Sequence, residues 1–580
     1  MKSIPICLIA LTLSSAPSLA QTPAVGHAVT TLFTNLPGHP TADVPGMPGA
    51  HFAPGTGSNH FDRVYGSPGG HWALTADTDL PAGADEVLIA NGDVLAVEGG
   101  PALWTGGAEA MRTFDTRIAV NDDGDCVFTQ STDGPSSSND YVVRVSGGVF
   151  MSLAQEGDPV PGLAGATFDD SLTTAVILAS GEVGFEADGI DGGGATTASD
   201  ELLMLGAAQL VRTGDVPLGQ VGSAPWEHFD LNDYWVTPDG AHWLVQGDLD
   251  TGASGDDDVV AFDGMIVVQE GQPVAGSGSA LPVDSDGING VHLDASGHWF
   301  VRGQWSGSDD FVMRSGQLLA QSGAPIALGM AEAWGSASFP DGYFLTVGYS
   351  RGDYVIGGMT DADGDRNAVL VMNGEVVIAR EGDPLDLDGD GLFNDDAYFD
   401  VFGTDDAFLS DAGELYIVAT LRDSFGLATG QGLFVISSGA LGASFCTSTT
   451  NSSGASALIS ASGSTSIAKN DFCLAVGTLP ADAPGIFFYG TTQLQVPFGN
   501  GFRCVGGTVF QLWPATSADA AGRMTKSVDL TQPPGGFVGG GQVQAGASWN
   551  FQAWFREPGP VAGTNAGFDL SDGLEVTFAP

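Results

Sequence analysis

Along most of the chain, short apolar runs alternate with Gly, Asn, Asp and Pro, a pattern of strands joined by tight turns rather than of helices. Two elements recur. The first is a Gly followed closely by an apolar or aromatic run: "GHWAL" at Gly70, "GDCVF" at Gly124, "GEVGF" at Gly181, "GAHWL" at Gly240, "GHWFV" at Gly297, "GDYVI" at Gly352 and "GELYI" at Gly413, at spacings of 54, 57, 59, 57, 55 and 61. The second follows the first six copies: an apolar strand, a turn, another apolar strand, then Gly and Pro, as in "DEVLIANGDVLAVEGGP" ending at Pro101 and "NAVLVMNGEVVIAREGDP" ending at Pro384. The "NG", "SGG" and "DG" pairs between these runs carry the positive φ of a two-residue hairpin turn. The seventh unit ends in "GLFVIS" near Ser437 and lacks the Gly-Pro end.

Each unit thus offers about four short strands, none able to bury both faces alone, and seven such units stacked radially make a β-propeller. The segment "PGMPGAHFAPGTGSNHFD" before the first unit resembles the stretch after each Gly-Pro, for example "PGLAGATFDD" at Pro161. The chain then starts inside a repeat that its last unit completes, which is how such a ring closes. A linear solenoid of hairpins would need capping ends, and the sequence offers none. After about Gly439 the pattern changes to a Ser/Thr/Gly-rich stretch and then to alternating segments, among them "FCLAVGTL", "GIFFYG", "GTVFQLW" and "SWNFQAWF". That pattern predicts a β-sandwich. The expected fold is all-β: a seven-bladed β-propeller over residues 21–438 followed by a C-terminal β-sandwich module over 439–580.

Charge narrows the partners. The chain has 580 residues, 70 Asp+Glu against 17 Lys+Arg, and a formal net charge of −53. Such a chain repels phosphate backbones and anionic lipid, which excludes nucleic-acid binding. With 43% hydrophobic residues it is not a disordered acidic chain. The charge is unevenly placed: residues 439–580 carry 8 acidic and 5 basic residues, a net of −3, and the rest of the chain carries −50.

Residues 1–20 read as a secretory signal, with Lys2, an apolar run from Pro5 to Leu13 and small residues at Ser18 and Ala20, so that the mature chain starts at Gln21. Cys7 lies in that removed segment. No later apolar stretch is long enough to span a bilayer, so no transmembrane segment is expected. Cys126, Cys446, Cys473 and Cys504 remain, and four cysteines allow three full pairings. Export favours one structural disulfide among the last three. None is spaced as CxxC, which argues against a metal site built from cysteines.

At "NDDGDCVF", Asn121, Gly124 and Phe128 resemble the NxxGxxAF tandem-repeat family of secreted bacterial proteins, and "EGDPVPG" from Glu156 fits it too. The resemblance covers roughly residues 31–438; the Asn stands in this copy alone, and Val127 replaces the Ala. It implies a secreted repeat protein with a C-terminal sorting or anchor module and no established catalytic residues. The strings "NSSGASALISASGS", "QVPFGNGFRCVGG" and "WNFQAWFREP" resemble a C-terminal module of secreted planctomycete-type bacterial proteins, over nearly all of 442–580. That resemblance implies that Cys446 and Cys504 pair. Cys473 stands in an apolar strand and reads as a buried thiol.

The strongest local motif is "DLDGDGLFNDD", with Asp386, Asp388, Asp390, Asp395 and Asp396 around Gly391. Calcium takes six to eight oxygens, and such a loop can converge several carboxylates. It departs from an EF-hand, because the twelfth position is Ala397. Ca2+ is therefore a candidate cofactor, with a solvated acidic loop between two blades as the other reading. A weaker copy is Asp361, Asp363 and Asp365. Other acidic turns, such as "GDDDVV" from Gly255, read as solubilising charge.

His71, His242 and His298 each precede a Trp in the repeated strand, which marks a structural slot. HExxH is absent, and 70 acidic residues leave a catalytic carboxylate pair unidentifiable. Trp104, Trp226, Trp235, Trp305 and Trp334 lie outside the repeated motif, where inter-blade packing is the favoured reading and sugar stacking the rival. The functional expectation is an exported, non-enzymatic binding protein that meets a polysaccharide or a surface protein on a propeller face. A carbohydrate-active lyase or hydrolase and a structural cell-surface component are the alternatives. An enzyme should show a cluster of Asp, Glu, His or Arg that departs from repeat symmetry.

Overall fold

The structure is a computed structural model. It describes residues 28–578 apart from 57–59, 115–116, 170, 221, 308, 328–329, 336–341, 350–351, 389–392, 438–442, 463–466, 468–469, 471, 520–521, 533–540, 545 and 558–565. The signal-like residues 1–20, Cys7, Asp390 and Gly391 lie outside the described residues.

The chain is all-β. Among the described residues, seven four-stranded antiparallel sheets follow one another from Phe61 to Ser437. Their first strands are Phe61–Gly66, Ile118–Val120, Leu172–Ile177, Trp226–Val236, Val283–Leu293, Tyr343–Gly348 and Tyr398–Leu409. Each touches the next, and the last touches the first, so these strands form a closed circuit. The seventh sheet is completed from the other end of the chain. Ala28–Thr34 pairs antiparallel with Ala428–Ser437, with Ala28 opposite Ser437. Side chains lock that closure: Gln431 Oε1 accepts from the backbone N–H groups of His60 and Phe61, and Asn35 Oδ1 accepts from Gln431 N at 2.7 Å.

Both repeated sequence elements have a structural cause. The Gly of the first element closes a turn before the second strand, donating its N–H to the carbonyl three residues back. All seven copies make this bond, from Gly70 to Ser67 through Gly413 to Ser410, at 2.8–3.0 Å. Their φ lies between 72° and 91°, where a Cβ is strained, so only glycine fits the slot without penalty. The Gly before each Pro also has a partner: Gly99, Gly157, Gly214, Gly271, Gly323 and Gly382 donate to the carbonyls of Met111, Phe168, Trp226, Val283, Trp334 and Phe399 at 2.7–3.0 Å. Those six side chains are all buried. They fill one recurring position where the chain crosses to the next sheet, which makes Trp226 and Trp334 packing residues. The hairpin turns at Asn91–Gly92, Asp263–Gly264 and Asn373–Gly374 have both residues at positive φ, as their sequence predicts.

No sheet has a core of its own. Leu345, Val347 and Leu370 of the sixth sheet share one core with Phe399, Leu415, Ile417 and Phe434 of the seventh. Phe408, Val418 and Leu433 of the seventh join Leu74, Val87 and Ile89 of the first. Each fully buried Leu or Phe contributes roughly 1.5–3 kcal/mol, and that burial exists only once neighbouring sheets meet.

Beyond the ring, a sheet of seven strands and a sheet of three form a separate core. Ile459, Leu474, Val476 and Met524 of the smaller sheet face Phe487, Tyr489, Phe551, Phe555 and Val576 of the larger. A disulfide joins Cys446 to Cys504, with Cα atoms 5.9 Å apart. Cys126 is a buried free thiol, and Cys473, expected to be buried, is half-buried and free.

Candidate functional site in the axial cavity

The seven first strands surround a cavity of about 420 Å³, to which every one of the seven sheets contributes lining residues. A second cavity of about 580 Å³ adjoins it, and Arg63, Tyr65, Arg117, Asn232 and Thr404 line both. These residues stand between the two cavities.

What the strands present there is set by local irregularity. Register breaks occur between Phe61 and Val64, Thr173 and Val176, Phe229 and Tyr234, Val283 and Ile288, Tyr343 and Leu345, and Phe402 and Ala407. A bulge re-aims side chains and interrupts pairing. Four non-glycine residues within these breaks have positive φ: Thr174 at 44°, Asn232 at 71°, Asp286 at 57° and Asp405 at 57°. Thr174 is β-branched, so its backbone is strained there. Neighbours hold it: Thr174 Oγ1 donates to Glu186 Oε2 at 2.9 Å and accepts from Asn232 N at 3.1 Å.

The result is a charged cluster unlike anything repeated along the chain. Arg117 is buried, donates through Nη1 to the carbonyls of Asn232 and Tyr234 at 2.9 and 2.8 Å, and lies 3.7 Å from the centre of the Trp235 ring. Burial pulls its guanidinium down to about 10. Arg302 is buried as well; it donates to Tyr343 O at 2.9 Å and pairs with Asp405. Arg63 Nε lies 3.7 Å from Asp406 Oδ1. Burial, opposed by Arg63, pushes the Asp406 carboxyl up to about 7. Asp233 rises to about 7 from burial first and the Asp405 and Asp230 charges next, against Arg117 and Arg63. His292 packs edge-on against Trp235 at 4.9 Å, and burial lowers its imidazole to about 4, so it is neutral at physiological pH.

Four buried polar atoms on this lining have no hydrogen-bond partner: Arg117 Nε, Asn232 Oδ1, Trp235 Nε1 and Thr346 Oγ1. They offer two N–H donors, one acceptor and one hydroxyl. None of these residues stood out in the sequence except Trp235, and its ring is covered by Arg117 rather than open to a sugar. Of the other tryptophans, Trp226, Trp305 and Trp334 are buried, and Trp104 packs against Phe128, Tyr141 and Phe150.

The sequence-predicted calcium loop is partly assembled. Among the described residues, oxygens of Asp386, Asp388 and Asp395 come within 4.8 Å of one another. Asp395 Oδ2 also accepts from Leu387 N at 2.6 Å, and Asp396 Oδ1 accepts from Ser424 N at 2.8 Å. In the weaker copy, Asp361 Oδ1 accepts from Ala333 N at 2.9 Å.

Two other expectations change or gain detail. Of the acids of "GDDDVV", Asp258 is more than surface charge, because burial first and then Asp230, Glu270 and Asp248 push it up to about 9. Several acids bridge adjacent sheets: Glu86 Oε2 accepts from Phe114 N at 2.7 Å, and Glu201 Oε2 from Phe229 N at 3.0 Å. His242 and His298 bond Asp263 and Asp294 through Nδ1, at 2.8 and 3.2 Å, as structural residues do.

No family model and no curated protein matches the chain. Solved structures similar to it include a subtype N11 neuraminidase-like protein of A/flat-faced bat/Peru/033/2010 (H18N11), at 10% identity and a TM-score of 0.26, covering 55% of this chain and 85% of that one. The calcium-binding protein regucalcin from Agrobacterium tumefaciens matches at 12% identity and a TM-score of 0.22, covering 56% and 95%. A tetra-tandem repeat from the extending region of a large adhesion protein matches at 12% and 0.12, covering 78% and 95%. No activity, ligand or partner is carried over from them.

Proposed function

We propose that the chain is an exported, non-enzymatic binding protein: a seven-bladed β-propeller over residues 21–438, holding a small polar ligand in its axial cavity, followed by a β-sandwich over 439–580. The observation that carries this reading is the set of unpaired polar atoms on residues of the second, fourth and sixth sheets that line the cavity. A buried donor or acceptor without a partner costs about 1–3 kcal/mol, and a ligand bearing both hydroxyl donors and acceptors removes that cost. Saccharide units have that chemistry, and the cavity falls within the roughly 300–1,000 Å³ of small-molecule sites. The test is a thermal-shift panel of neutral hexoses, uronic acids and short oligosaccharides against the wild type, Trp235→Phe and Thr346→Val. Trp235→Phe keeps a ring beneath Arg117 and removes the Nε1 donor. Stabilisation of the wild type by one class, reduced in both variants, supports the reading; no stabilisation by any at millimolar concentration sinks it.

A second reading has its own support. The Arg63, Arg117, Arg302, Asp233, Asp405 and Asp406 cluster departs from repeat symmetry, and carboxyls that titrate near neutrality suit proton transfer. On this reading the cavity is that of a carbohydrate-active hydrolase or lyase. Turnover of a panel saccharide, abolished in Asp233→Asn or Asp406→Asn with unchanged melting temperature, would favour it over binding alone.

Ca2+ at the Asp386, Asp388 and Asp395 carboxylates belongs to the same proposal. Three carboxylates supply part of the six to eight oxygens calcium takes, and the ion would order the loop that precedes the seventh sheet. A melting temperature equal in millimolar calcium and in chelator rejects it.

A further inference from the structure

We infer that the C-terminal module carries a second, independent binding site: an aromatic and arginine-lined groove that takes an acidic polysaccharide. The groove encloses about 870 Å³ and is lined by Phe488, Phe498, Arg503, Trp513, Trp554 and Arg556, among others. Three observations carry the inference.

The first is exposure. The chain has 11 tryptophans, and Trp513, at 63% exposed, is the one that stands open to solvent. Its Nε1 donates to Gln511 Oε1 at 3.0 Å, which holds the indole in place without using its face. Phe498, 47% exposed, lines the same groove. Phe498 and Trp554 both pack on Phe568, at 5.3 and 5.7 Å, so these three rings form one continuous stripe. A ring whose polar edge is satisfied and whose face is free suits a flat apolar partner with a polar rim, such as the C–H face of a sugar, and its fixed position lowers the ordering cost of binding.

The second is charge. Seven arginines of the repeat region pair with carboxylates. Arg503 and Arg556 make no ion pair among the described residues. Arg503 Nε donates to Val505 O at 2.8 Å, and the exposed Arg556 guanidinium lies 5.2 Å from the Trp554 ring centre. In a chain of net charge −53, two guanidinium groups left without carboxylates on one groove are complementary to an anionic ligand.

The third is the setting. The module is near neutral, with 8 acidic and 5 basic residues over 439–580. Charges more than about 8 Å apart are largely screened at physiological ionic strength, so the net charge of the whole chain does not decide a local contact. Aromatic rings for the sugar faces and guanidinium groups for the carboxylates match a polyuronate better than a neutral glucan.

The test uses the full chain, with polygalacturonate as the probe and dextran of matched size as the neutral control. Affinity electrophoresis and titration calorimetry compare the wild type with Trp513→Ala and with Arg503→Gln/Arg556→Gln. If the double variant melts early, Arg556→Gln alone replaces it, since that side chain is exposed. The expected result is retention by polygalacturonate and not by dextran, weakened at least tenfold in each variant and between 0.05 and 0.5 M salt. Absence of retention, or retention equal in wild type and variants, overturns the inference. Dextran binding equal to polygalacturonate binding overturns it too. Sedimentation showing self-association that Trp513→Ala abolishes, without polygalacturonate binding, would assign the groove to a second copy instead. The axial-cavity reading is untouched by any of these results, because none of the three substituted residues lies in the ring.

Discussion

Replacing Asp258 with Asn should change how the stability of the protein depends on pH. Asp258 begins the third strand of the fourth sheet, Asp258–Phe262. Its Oδ2 accepts from Gln246 Nε2 at 3.1 Å, and its Oδ1 has no partner. Burial and the neighbouring carboxylates push it up to about 9, whereas an unfolded Asp ionises near ~4. Between those values the folded chain holds a proton that the unfolded chain has lost. Stability therefore falls as pH rises, by about 1.4 kcal/mol per pH unit for this group. Below that window the carboxyl is protonated in both states and above it ionised in both, so the slope vanishes at either side. From pH 5.5 to 8.5 the loss is on the order of 4 kcal/mol. Asp258→Asn keeps an acceptor for Gln246 and does not titrate. Because Asp258 is neutral through most of this range, the substitution leaves the charge around Asp230 and Glu270 nearly as it was. Urea unfolding of both proteins at the two pH values reads the effect. The wild type should lose about 4 kcal/mol more than the variant across the interval. Glu186, raised to about 8 by burial, and Glu270, raised to about 7 by burial, make both proteins less stable as pH rises. Parallel pH slopes for the two proteins would refute the reasoning.

Three further outcomes are expected. Arg302→Ala should destabilise the ring by about 1–3 kcal/mol, because it removes the partner of the half-buried Asp405 and of the Tyr343 carbonyl; adding Asp405→Asn should recover part of that loss in denaturant unfolding. Gly297→Ala should cost about 1–2 kcal/mol, since its φ is 81° and a Cβ would stand 2.6 Å from His242 Cδ2, whereas alanine at Gly364, which has no neighbour within 4 Å and no positive φ, should change the melting temperature little. Replacing Cys446 and Cys504 by Ala opens a loop of 58 residues and should cost the C-terminal module about 4 kcal/mol. Calorimetry would show that loss as an earlier transition for the module alone.

The repeated elements were legible because the backbone writes them. A turn that needs positive φ selects glycine, so Gly70, Gly124 and their five counterparts stand at recurring intervals. The Gly before each Pro recurs for a similar reason, since its N–H must reach the residue that enters the next sheet. The all-β class and the pairing of the chain's early residues with its last repeat both follow from that periodicity. The Asp386 loop was legible as well, because its acids are neighbours in the chain, and three of them do converge. Asp258 was misread because a sequence shows that a residue is acidic without showing what covers it.

The axial cluster was not legible, and the reason is physical. Arg63, Arg117, Asp233, Arg302 and Asp405 are far apart in sequence, and each arrives at the axis from a different sheet. Most of them stand at or beside bulges, which break the alternation that would reveal an inward-facing position. Because they occur once rather than in every unit, comparison of the repeats passes over them. Local turn chemistry and strand patterning belong to short stretches of chain and are determined by them. Which polar groups share a dry cavity, which carboxyls lose their water and which arginines are left without a carboxylate depend on long-range convergence, and that was decided only when the sheets came together around one axis.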